Sequence, residues 1–175
     1  MKIKTILLFA VFTGTTAMHS QDKNTMNSNP FFNTYATPFQ VPPFDLIKNE
    51  HFKPAILEGI QQQEAEIKKI VSNKQKATFS NTILEMENSG KLLARVSTVF
   101  NNLNSANTNE GIQTIAKELA PKFAAHSDNI YLNEALFQRV KYVWDNQKKE
   151  NLNLEQAKIL ENLYKNFVRS GANLS

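Results

Sequence analysis

From Pro54 to Gly171 the apolar residues of this chain recur three or four positions apart, and no Val/Ile/Thr-rich alternating run interrupts them. That period lets an α-helix bury one face, whereas a half-buried strand needs a period of two. The pattern predicts an all-α fold: an irregular antiparallel bundle of about six helices joined by short loops. No repeat of fixed period supports a helical-repeat solenoid. No sustained a/d heptad supports a long coiled coil.

The helices can be placed from their caps. Pro54 fits the first turn of a long helix, where its missing N–H is not needed. That helix carries Ile56, Leu57, Ile60, Ile67, Ile70 and Val71, with a gap at Glu64 and an end near Asn73. A second helix starts at Thr78 or Ser80 and is stopped or kinked at Gly90. A third, from about Lys91 to Ala106, has Leu92, Leu93, Val96, Val99, Phe100 and Leu103 on one broad face. Asn107 or Thr108 caps the next, with Glu110 placed to close a capping box on Asn107. Pro121 lies inside that helix's apolar pattern and predicts a kink. Asn133 caps a helix bearing Leu136, Phe137, Val140, Val143 and Trp144. Asn153 with Gln156 forms a box for the last helix, which Gly171 ends.

Ahead of the helices the chain changes character twice. Met1 to Lys4 is cationic, Thr5 to Phe12 apolar, and Thr13 to Ser20 mostly small or polar. That order predicts a secretory signal peptide over residues 1–20, cut near Ala17 or before Gln21, and hence export to a periplasm. The competing reading is an uncleaved, buried first helix. The apolar run is far shorter than the ~20 residues that span a bilayer, so no stable membrane insertion is expected. Without cysteine there is neither a cysteine-linked lipid anchor nor a disulfide, and the fold must rest on its core. Residues 21–44 read as a leader: a polar stretch, then an arm with Phe31, Phe32, Tyr35, Phe39 and Phe44 among prolines that forbid a regular helix. Such an arm lies on a surface, its own or a partner's. Residues 45–175 are then the helical domain.

The formal charge of +4 falls to +2 once Lys2 and Lys4 are removed. The remaining lysines are scattered among glutamates, as from Glu64 to Lys69, which describes a solvated helix face and argues against nucleic acid as a partner.

Candidates for chemistry are few. The histidines are His19, His51 and His126, and no His-Glu-x-x-His pair occurs. His51 is read as structural, bonded to a backbone group or a carboxylate. His126 is read as lying at a helix C-terminus, where its cationic form suits the carbonyl end. Catalytic zinc needs three converging protein ligands. Glu64/Glu66 and Glu85/Glu87 are two apart and point away from each other on a helix, so neither pair is an acid/base dyad. Glu58 and Glu118 lie in polar faces. There is no glycine-rich phosphate loop and no Gly-x-Ser-x-Gly elbow. No catalytic, cofactor-binding or metal-binding residue is assigned to this chain.

A set of strings adds a different kind of information. Asn29-Pro-Phe31, Pro43-Phe-Asp-Leu-Ile47, His51-Phe-Lys-Pro-Ala55 and Glu58-Gly-Ile-Gln-Gln62 come first. Phe79-Ser-Asn-Thr-Ile83, Ser89-Gly-Lys-Leu-Leu93, Arg95-Val96 and Ala106-Asn-Thr-Asn109 follow. Asp128-Asn-Ile-Tyr-Leu-Asn133, Leu136-Phe137 and the tail from Ser170 to Ser175 complete the set. In this order they resemble the N-terminal part of the thimet oligopeptidase family of zinc metallopeptidases, and within it the peptidyl-dipeptidase branch. The resemblance implies an almost wholly helical protein whose two lobes flank a deep channel for short peptides. It implies Zn2+ held by a His-Glu-x-x-His helix and a later glutamate, the motif's glutamate activating a zinc-bound water. It also implies release of C-terminal dipeptides. None of those residues maps onto this chain. The expectation is therefore an N-terminal fragment, most of one channel wall, inactive alone and with apolar surface left uncovered. The alternative is a free-standing exported helical module that binds peptides or another partner without catalysis.

Overall fold

A computed structural model describes residues 29–173 of the protein. The signal-peptide reading of residues 1–20, the polar stretch 21–28 and His19 lie outside the described residues. Among the described residues the fold is all-α, as the periodicity implies.

Helix α1 spans Asn49–Ser72. It begins five residues earlier than Pro54 implies, because His51 supplies the cap. The Lys48 backbone N–H donates to His51 Nδ1 at 3.0 Å, a contact that standard capping rules do not look for. Pro54 is consequently inside the helix. Thr78 and Asn81 form a reciprocal capping box. This box opens a π-helical turn, Phe79–Leu84, which runs into the short α2, Glu85–Glu87. Gly90, at φ 67°, turns the chain into α3, Lys91–Ala106.

Helix α4, Glu110–Tyr131, departs from expectation at its cap and at the place of His126. Its cap is Asn109, whose Oδ1 accepts from the Ile112 N–H at 3.0 Å. Asn107 instead closes α3, and Glu110 is the first residue of α4, so no box on Asn107 forms. Pro121 lies inside the helix, as the apolar pattern implies, and the helix continues to Tyr131. His126 is therefore well inside α4 and not at its carbonyl end. Helices α5, Glu134–Asp145, and α6, Leu154–Arg169, are capped by Asn133 and by the Asn153/Gln156 box, as predicted.

Two apolar clusters hold the bundle. The first joins the arm to α1, α3 and the first half of α4: Phe31, Phe52, Ile56, Val96, Phe100 and Leu119 are at its centre. Rings of Phe31 and Phe52, and of Phe52 and Phe100, lie 5.2 Å apart. The second joins the far ends of α1 and α4 to the π-turn, α5 and α6, through residues such as Ile70, Ile83, Ile130, Val140 and Phe167. Each buried large side chain contributes roughly 1.5–3 kcal/mol. Helices α1 and α3 run antiparallel and pack closely at Gly59, where a Cβ would stand 2.8 Å from Leu93 Cα. Helices α1 and α4 run in the same sense. Asn49 bonds Asn109 near their starts, and Gln63 bonds His126 further along.

The arm is divided. Phe31 and Tyr35 are buried against the first cluster, and Asn29 donates to the His51 carbonyl at 2.9 Å. Phe39, by contrast, is 100% exposed, so its ring does not lie on the chain's own surface. No helix among the described residues is long and apolar enough to cross a membrane.

Candidate functional site

The two clusters leave a polar waist between them, where α1, α4 and the start of α3 meet. Gln63 sits at its centre. Its Nε2 donates to Ser89 Oγ at 3.1 Å, and Ser89 in turn donates to the Met86 carbonyl at 2.7 Å. That leaves Gln63 Oε1 as the acceptor facing His126 Nε2 at 2.8 Å. In this contact His126 Nε2 is the donor, since an amide oxygen can only accept. Nδ1 is buried without a hydrogen-bond partner, and the nearest carboxylate, Glu64 Oε1, is 3.7 Å away.

The acidic residues of the waist are tied to structure. Glu66 Oε2 accepts the Gly90 N–H at 2.8 Å, placing a carboxylate at the N-terminus of α3, where the helix dipole favours it. Glu64 faces α4 while Glu66 faces α3, so residues two apart do diverge, and no shared proton can pass between them. Beside them opens a cleft of about 390 Å³, bordered by Glu66, Lys69, Asn73, Asn81, Glu85 and Ser89. Nothing along it pairs a nucleophile with a base. Glu58 bonds Gln62 one turn on, and Glu118 pairs with Lys53 at 2.6 Å on the surface.

The zinc implied by the resemblance does not fit these residues. Among the described residues no three His, Cys, Asp or Glu side chains gather to hold a metal. His51 spends Nδ1 on the Lys48 backbone, and His126 spends Nε2 on Gln63.

One residue that sequence reasoning missed organises the second cluster. Arg139 on α5 donates from Nη1 to the Asn73 and Gln75 carbonyls, at 2.9 and 3.1 Å. Its Nη2 donates to Asn81 Oδ1 at 3.0 Å and Thr82 Oγ1 at 3.1 Å. The planar fork closes the end of α1 onto the π-turn, a role lysine's single ammonium cannot copy. Desolvation lowers the Arg139 pKa from its ordinary value.

These features describe a helical domain whose described polar groups fasten helices to one another, and its relatives are peptidases. Two of them are dipeptidyl carboxypeptidases. That of Salmonella typhimurium is 39% identical over 150 residues, covering 86% of this chain and 22% of the relative. That of Escherichia coli is 40% identical over 147 residues, covering 84% and 22%. Oligopeptidase A of Escherichia coli is more distant, 24% identical over 142 residues. No protein-family model matches the sequence. The resemblance carried by the ordered strings is thus borne out over most of the chain, which spans about a fifth of the length of the curated relatives it matches.

Proposed function

We propose that this chain is the N-terminal part of an exported zinc peptidyl-dipeptidase, forming one wall of the channel through which short peptides reach the reaction centre. The observation that carries the reading is the contrast in identity: 40% to a dipeptidyl carboxypeptidase against 24% to an oligopeptidase A, over nearly the same stretch. In this reading the residues described above bind no metal and move no proton to substrate. They set the shape and rigidity of the wall, and catalysis belongs to residues supplied by the rest of the parent. The ordered cationic, apolar and small-residue zones of residues 1–20 support export.

The test is to isolate the native gene product, measure its intact mass and N-terminus, and assay it on a peptide with a free C-terminus. A product several times longer than 175 residues, starting after residue 17 or 20, should release C-terminal dipeptides and lose that activity on chelation. The recombinant 175-residue chain should release none. A native product no longer than this chain would overturn the reading in favour of a non-catalytic binding module.

A further inference from the structure

Four of the seven large apolar side chains that stand in water among the described residues fall within eight positions: Phe39, Val41, Phe44 and Leu46. They occupy the end of the arm and the two residues that follow it, after the buried anchors Phe31 and Tyr35. The loop is not a slack tether. Phe39 and Gln40 both sit at φ 55°, a left-handed conformation that bulky side chains rarely adopt. It is pinned by the Gln40 N–H donating to the Thr37 carbonyl and by Thr37 Oγ1 donating to the Val41 carbonyl. The strained pair places the Phe39 ring wholly in solvent. Under the loop, Gln40 and Pro42 border a hollow of about 360 Å³ against Arg95 and Thr98 of α3. From Thr37 to Leu46 the only charge is Asp45.

Backbone strain spent on exposing an aromatic ring offers the folded chain nothing unless the ring is covered elsewhere. We propose that the loop 37–46 is a docking surface, and that its occupant is an apolar face of the remaining part of the same polypeptide. This rests on the reading of the chain as part of a longer peptidase. The matched relatives carry this stretch as 22% of one chain. A neighbour on the same chain is present at an effective concentration that a second copy does not reach. The near absence of charge fits an apolar partner and not a phosphate-rich one.

The experiment is hydrogen–deuterium exchange over residues 37–46, in the native full-length protein and in the 175-residue chain at several concentrations. Docking predicts exchange about tenfold or more slower in the full-length protein and fast at every concentration in the short chain. In the full-length protein Phe39→Asp should restore fast exchange to this segment while leaving the 175-residue chain's own exchange and melting unchanged. Equally fast exchange in both proteins overturns docking but leaves the longer parent standing. Slowing with concentration in the short chain overturns it in favour of a second copy. A native product no longer than 175 residues removes the parent, and docking with it.

Discussion

His126 Nε2 stands 2.8 Å from Gln63 Oε1, and through this contact α4 is fastened to α1 at the level between the two apolar clusters. The ring is 6% exposed, so little water can replace either partner. His126→Ala removes the bond and leaves a cavity, and should cost about 2–3 kcal/mol in a urea melt. A double-mutant cycle with Gln63→Ala should show a coupling of about 0.5–1.5 kcal/mol. Strict additivity would show that the contact contributes nothing.

At Gly59 two opposing effects can be weighed. Within a helix, alanine is favoured over glycine by roughly 0.5–1 kcal/mol. Here the new Cβ would meet Leu93 Cα and N at 2.8 Å, and backbone cannot move aside as a side chain can. Gly59→Ala should therefore be net destabilising, by about 1–3 kcal/mol. Gly111→Ala provides the contrast, since its Cβ would displace the movable end of the Asn49 side chain instead of backbone. Weakening of the exposed Asn49–Asn109 bond is offset by alanine's helix preference, and its melt should shift by less than about 1 kcal/mol.

Arg139→Lys keeps the charge and loses the fork. Four acceptors are bonded now, and a lysine cannot reach the Asn73 and Gln75 carbonyls and the Asn81 and Thr82 oxygens together. Thermal denaturation should register a loss of about 2 kcal/mol for lysine and more for alanine. Loss of amide protection should appear first at residues 73–84.

How far these elements could be read from sequence depends on where their partners lie. The caps at Asn133 and Asn153 were legible because a polar residue stands three before the N–H it accepts from, ahead of a strong apolar period. The α4 cap was not, because Asn107, Thr108 and Asn109 can all cap and only the register of Ile112 selects among them. The start of α1 was misplaced since an imidazole took the role of the carboxylate or carboxamide that ordinarily reaches back to the N-cap N–H of a helix. Arg139 gave no signal at all. Its partners lie 57 to 66 residues away, and two of them are backbone carbonyls. The waist was seen only as separate residues: Glu64 as a gap in the apolar pattern, His126 as a helix-end histidine. Their convergence is tertiary.

On α6, Lys158 and Lys165 both pair with Glu161, and together they hold its carboxyl well down, from 4.5 to about 2. Because the folded-state value is the depressed one, this stabilisation is present above about pH 4.5 and is lost as pH falls toward 2. The cluster is exposed, so salt should weaken it. Glu161→Gln should flatten that part of the stability–pH curve at low ionic strength, and 1 M salt should have the same effect on the unmodified protein. A curve unchanged by the substitution would sink the assignment.

Helix α1 contributes Phe52, Ala55 and Ile56 to one cluster and Ile67 and Ile70 to the other. A helix advances 1.5 Å and turns about 100° with each residue, so its length between those groups is a ruler. One residue inserted between Gly59 and Ile67 would swing the second set of side chains off its partners while leaving the first in place. Lineages of this protein should therefore vary freely in the loop lengths around residues 107 and 150, yet carry the same residue count from Phe52 to Ile70.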